Sequence, residues 1–167
     1  MSSSSRFTDA ELSAWKVNIL SWQLIERCLD QQLQRDSGMP HAYYAILVTL
    51  NDQRDRSLPL TRIAEQLDYS QSRMSHAISR LEESGWVERV SDPDDRRVTL
   101  LHLTDVGRRA FAEASVGHIA EVRRVFFSAL DDDDLDDLRR IGEKLFSSLT
   151  SHRDAAIRSK IPGAARA

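Results

Sequence analysis

Ser70, Gln71, Ser72, Arg73 and His76 open a polar stretch, YSQSRMSHAISRLEESGW, that runs from Tyr69 to Trp86. These are side chains that can read nucleobase edges. An arginine fork clamps O6 and N7 of guanine, and a glutamine amide does the same for adenine. Serine hydroxyls and the free amides of a helix N-terminus suit phosphate oxygens. Arg73 is therefore the best base reader of the group, and Ser70 and Ser72 suit phosphates. Arg80 follows Arg73 by seven residues and shares its helix face. There it reaches either a phosphate or an intramolecular partner, Glu82 or Glu83. Between Ser70 and Leu81 there are two Arg, one His and no acid. A merely solvated polar face is the bland alternative, and the arginine-tipped turn downstream weighs against it.

That second pair of cations, Arg96 and Arg97, closes the segment SDPDDRR that links two β-like runs, Trp86–Val90 and Val98–Leu103. Pro93 and its Asp and Ser neighbours make that segment a turn. Arginine at the tip of a hairpin suits a narrow A·T-rich minor groove, whose negative potential is enhanced. Asp94 or Asp95 can instead pair with Arg97 and shape the turn.

Side chains that read DNA must be positioned by a scaffold. From Asp9 to about Arg35, Leu12, Trp15, Ile19, Trp22, Ile25 and Leu29 recur at steps of three and four. This predicts one long helix with an apolar stripe. DSGMP (Asp36–Pro40) breaks the chain, His41–Asn51 is a second helix, and Asp52–Pro59 reads as a polar loop. Thr61–Leu67 is a short helix, and Ser70 caps the next, which buries Met74, Ala77, Ile78 and Leu81. Gly85 stands where a helix C-terminal glycine belongs. After the hairpin, Thr104 caps a long helix to about Ala129. Asp131–Asp134 open a last helix striped by Leu135, Leu138, Ile141 and Leu145. The predicted fold class is mostly α with a small β-hairpin wing: a winged helix-turn-helix flanked by long N- and C-terminal dimerisation helices. Its divisions are a disordered tail (1–8), a dimerisation helix (9–35), the DNA-binding domain (41–103), C-terminal linker and dimerisation helices (104–150) and a flexible tail (151–167).

The 167 residues, 41% hydrophobic and 29% charged, are enough for one domain with its own core. Net charge is −3, which on its own argues against a nucleic-acid binder. The distribution matters more, because the acids gather at Asp131–Asp137, away from the acid-free stretch. Cys28 is the only cysteine, so no internal disulfide forms, and a buried structural thiol is the better reading than a redox sensor. MSSSSRFTDAEL has no signal-peptide core and no stretch reaches a membrane span, so a cytoplasmic location is expected. Five scattered histidines lack metal-ligand spacing, and no phosphate loop or nucleophile elbow is present. The expectation is no metal, no cofactor and no enzyme.

Together these segments resemble the MarR family of bacterial transcription regulators. LTRIAEQLDYSQSRMSHAISRLEESGWVER (Leu60–Arg89) resembles the family's two DNA-binding helices. DPDDRRVTLLHLTDVG (Asp92–Gly107) resembles its wing signature, with Asp95 and Arg97 matching the signature pair and Leu103, Thr104 and Gly107 its end. The resemblance implies that Arg97 rather than Arg96 enters the groove and that Asp95 braces the turn. It implies a homodimer on a palindromic operator in double-stranded DNA, usually a repressor, released by a small and often aromatic effector. Trp15, Trp22, Tyr43 and Tyr44 are candidates for that effector's pocket, although aromatics at helical spacing more often form core or interface. The competing function is a winged-helix protein–protein adaptor without sequence-specific DNA binding.

Overall fold

A computed structural model describes residues 6–149; the expected flexible tail at 151–167 lies outside the described residues, as does the start of the N-terminal tail. Helix α1 spans Asp9–Ser37. Thr8, assigned to the tail from sequence, closes a capping box with Glu11: its hydroxyl accepts from Glu11 N at 3.2 Å and its own N donates to Glu11 Oε2 at 2.7 Å. Gly38, at φ +64°, ends the helix in the left-handed conformation that glycine tolerates best. At 1.5 Å per residue the helix is about 44 Å long. Only its C-terminal third is buried, through Leu29, Gln32 and Leu33.

Helix α2 (His41–Asn51) supplies the centre of the core with Ile46, Leu47 and Leu50, all fully buried. Helices α3 (Leu60–Leu67) and α4 (Gln71–Glu83) add Ile63, Met74, Ala77, Ile78 and Leu81. Asp68 makes the tight turn between them at φ +51°. Gly85, at φ +68°, turns the chain from α4 into the sheet, as its position in the sequence predicts.

Strand β1 (Ser57–Pro59) corrects the expectation of a plain loop at 52–59. It joins β2 (Val87–Ser91) and β3 (Thr99–Leu103) in an antiparallel sheet of order β1-β3-β2. Leu58 faces Leu101 and Pro59 faces Leu100 across one side; Val87 faces Leu103 and Arg89 faces Leu101 across the other. A three-residue strand is too short to show an alternating pattern. Its proline is tolerated because β1 is an edge. Leu101 and Leu103 carry β3 into the core.

Helix α5 (Asp105–Val125) starts at the expected cap, with Thr104 Oγ1 accepting from Gly107 N at 3.0 Å. It ends four residues early, because Phe127–Ala129 tighten into a 3-10 turn. It packs along α1 and against α2, and so joins the long helix to the winged unit. Helix α6 (Asp132–Leu149) has no buried residue. Among the described residues no helix is long and apolar enough to cross a membrane.

Candidate nucleic-acid interface

Helix α4 divides cleanly into two faces. Met74, Ala77, Ile78 and Leu81 are buried against the core, while Gln71, Ser72, Arg73, Ser75, His76, Ser79 and Arg80 are exposed. The predicted contact residues therefore share one solvent-facing surface. Ser70 is the N-cap: its Oγ accepts from Arg73 N at 3.4 Å and lies 3.4 Å from Ser72 Oγ. One orphan amide of the first turn is satisfied in this way, and the remaining amides point outward as anion donors.

The three arginines of interest are held differently. The Arg73 guanidinium carbon sits 4.2 Å from the centroid of the Tyr69 ring. No carboxylate forms an ion pair with Arg73 among the described residues. Arg80 donates to Glu83 Oε2 at 2.8 Å, which realises the intramolecular option noted from sequence. Arg97 grips Asp95 with two side-chain bonds, Nε to Oδ1 and Nη2 to Oδ2, both 3.0 Å, and its backbone N also donates to Oδ1 at 3.0 Å. These bonds hold the Asp95 carboxyl below its ordinary range and push the Arg97 guanidinium up. Even so, the Arg97 side chain is 91% exposed and stands clear of the turn. Asp92 ties the tip, with Oδ1 accepting from the backbone N of Asp94 and Asp95 at 2.8 and 3.3 Å. Arg96 is exposed beside it.

Sequence reasoning read Tyr69 only as a turn residue. The sign of its second role was its spacing, four residues before Arg73, which a helix end brings onto one side. It is half-buried; burial pushes its phenol up, while Arg73 pulls it down. A crevice of about 700 Å³ adjoins this pair, lined by Glu26, Asp30 and Gln34 of α1, Pro40 and His41, and Leu67 to Tyr69. Arg62 on α3 is also exposed and pairs with Glu65 at 3.3 Å.

The four candidate pocket aromatics are not drawn together within one chain. Trp15 and Trp22 stand on α1 at 59% and 51% exposure, and Trp22 meets Phe126 at 5.5 Å between ring centroids. Tyr44 is buried against Phe111 (5.5 Å) and His118 (4.4 Å), and its hydroxyl lies 3.0 Å from Ser115 Oγ. Tyr43 packs on the edge of the core. Among the described residues no ring contact joins the tryptophans to the tyrosines. Cys28 is a half-buried free thiol. Arg124, brought from α5, interacts with it.

A two-helix unit whose second helix carries no acid between Ser70 and Leu81, followed by an arginine-tipped hairpin, defines a winged helix-turn-helix protein. A sequence profile described as the MarR family matches residues 37–98. The crystal structure of Sco3205, a MarR family transcriptional regulator from Streptomyces coelicolor in complex with DNA, superimposes with a TM-score of 0.82 at 37% identity. That likeness covers 89% of this chain and 97% of the other. This chain belongs to the MarR family. AbsC, another MarR family regulator of Streptomyces coelicolor, gives a TM-score of 0.82 at 29% identity over 87% of this chain and 98% of its own. The transcriptional repressor MprA of Escherichia coli is 27% identical over 118 residues, which is 71% of this chain and 66% of that protein.

Proposed function

We propose that this chain is a homodimeric transcriptional regulator that binds a palindromic operator in double-stranded DNA and acts as a repressor. The observation that carries this reading is the outer face of α4, where Gln71, Ser72, Arg73 and His76 are all exposed around an unburdened helix N-terminus. In this reading α4 enters the major groove. Arg73 reads guanine, Gln71 and His76 lie against neighbouring bases, and Ser70, Ser72 and Arg80 face phosphates. Arg97, oriented by Asp95, enters the flanking minor groove with Arg96 beside it. The repressor in Escherichia coli and the DNA complex in Streptomyces coelicolor support a DNA-binding regulator by likeness.

Homodimerisation is supported by exposed apolar side chains that a lone chain has no use for. Trp15, Val17, Ile19, Leu20, Trp22 and Leu24 of α1 are 37 to 61% exposed, and Leu138, Ile141, Leu145 and Leu149 of α6 are 38 to 79% exposed. Exposed apolar surface of this kind marks an interaction surface. A two-fold axis through it would set two α4 helices about 10 base pairs apart. Release by a small effector would work by favouring a dimer with a different spacing. Space for one exists in the crevice between α1 and the α3–α4 turn, where His41 and Tyr69 are the rings in the lining; Trp15, Trp22, Tyr43 and Tyr44 lie outside it.

The test begins with selection of bound duplexes from a random-sequence pool. Arg73→Ala and Arg97→Ala are each expected to weaken binding to the selected duplex, by roughly tenfold or more for Arg73→Ala. Both should remain dimeric by light scattering. Unchanged mobility-shift titrations for both variants would remove the site assignment. Binding that is weak, independent of sequence and indifferent to salt would favour the adaptor reading instead.

A further inference from the structure

We propose that Tyr69 is a positioning residue for DNA recognition: its ring face holds the Arg73 guanidinium so that the N–H edges stay free for a base. This rests on the reading of α4 as the DNA-reading helix. The guanidinium carbon lies 4.2 Å from the ring centroid, within cation–π range. Tyr69 is itself fixed, with its backbone N donating to Ala64 O at 3.1 Å and its body half-buried where α3 turns into α4.

The mode of holding is what matters. A guanidinium carries five N–H donors, all at its edge. Arg97 spends donors on Asp95, and Arg80 spends one on Glu83. Arg73 lies over the Tyr69 ring and spends no donor on a carboxylate among the described residues, although Glu26 and Asp30 line the same crevice. A bidentate clamp on guanine needs two parallel donors in one plane. Holding that plane before contact lowers the ordering cost of a long side chain on binding.

The competing explanation is local. Tyr69 precedes the N-cap Ser70, and Met74 is the fourth helical residue, which is the arrangement of a hydrophobic staple. Both side chains line one groove between α3 and α4. A staple needs only apolar bulk, whereas the proposed role needs an aromatic face. Leucine or methionine at position 69 keeps the first and removes the second.

The experiment uses the full-length protein and a duplex selected by it from a random pool, with each guanine replaced in turn by 7-deazaguanine. The guanine read by Arg73 is the one whose replacement weakens the wild type but not Arg73→Ala. Tyr69→Leu is expected to bind the unmodified duplex about three- to tenfold more weakly. Its penalty for that one 7-deazaguanine should shrink, and it should cost nothing further in the Arg73→Ala background. Tyr69→Met should repeat this result if the leucine variant folds poorly, and Tyr69→Phe should bind like the wild type. An equal loss in both backgrounds would overturn the positioning role and leave Arg73 as the reader. An Arg73→Ala variant with no loss at all would overturn the reader assignment and this role with it.

Discussion

Replacing Gly107 by alanine should unfold the joint between the wing and α5. An added Cβ would run into the carbonyl oxygen of Trp86, with the Trp86 carbonyl carbon and Leu103 Cδ1 each at 2.8 Å. Two of these three atoms are backbone and the third belongs to a fully buried leucine, so nothing nearby is a loose side-chain end. Relief needs a shift of about an ångström between α5 and the α4–β2 corner. That shift strains a shared network. Thr104 N donates to Trp86 O at 3.1 Å, Thr104 Oγ1 donates to Gly85 O at 2.7 Å, and the same oxygen caps α5 through Gly107 N at 3.0 Å. Overpacking costs about 1–3 kcal/mol. A weakened cap costs about 1 kcal/mol, and a stranded carbonyl about 1–3 kcal/mol. The gain in helix propensity returns up to about 1 kcal/mol. The net loss should be about 2–7 kcal/mol, a large share of the roughly 5–15 kcal/mol that holds a domain. Urea unfolding followed by circular dichroism, at matched protein concentration because any self-association adds to stability, measures it directly. A loss below about 1 kcal/mol would refute the claim that this junction is rigid.

Three further outcomes are expected from the same geometry. Arg97→Ala should lower the slope of log affinity against log salt, by less than the roughly one unit a free cation gives because Asp95 partly neutralises Arg97; an unchanged slope would place the wing off the DNA. His118 should make the protein less stable in mild acid. Burial, then the neighbouring His41, lowers its pKa in the folded state, so the unfolded chain binds the proton more readily. Stability then falls as pH drops below the ordinary imidazole value near 6.5. His118→Gln should flatten the change in melting temperature between pH 7.5 and 5.5, and an equal change in both proteins would exclude His118 as its source. Ile141→Glu combined with Leu145→Glu should convert a dimer to a monomer in light scattering, since both side chains sit on the exposed stripe of α6; a persistent dimer would move the interface elsewhere.

The winged unit was legible because its signals are local. Ser70 as a cap, Gly85 as a left-handed turn and Thr104 as the start of α5 each act within one turn of chain, and each stands where the sequence predicts. The inward row of α4 follows from period alone. Strand β1 was missed because three residues cannot display a pattern, and its pairing partner lies more than forty positions on. The same blindness to distance hid Arg124 beside Cys28 and the separation of the four aromatics offered as walls of an effector pocket. The relation of Tyr69 to Arg73 was within reach, but the turn at Asp68 suggested only a change of direction.

The charge balance and the arginine geometry together explain how an acidic chain can read DNA. A net charge of −3 gives little long-range attraction to a polyanion, so non-specific binding must be weak. Two of the exposed arginines have already committed donors, Arg97 to Asp95 and Arg80 to Glu83. Paired in this way, each presents a partly neutralised group to phosphates and gains less from counterion release than a free cation. Arg73 keeps both its charge and its donor edge, on a helix face without an acid between Ser70 and Leu81. Affinity in such a protein is concentrated where base identity is read, so the ratio of specific to non-specific binding rises even as total affinity falls. Removing acids from α6 should therefore tighten binding to every duplex alike, whereas Tyr69→Leu, which leaves the charge unchanged, should act on the selected duplex alone.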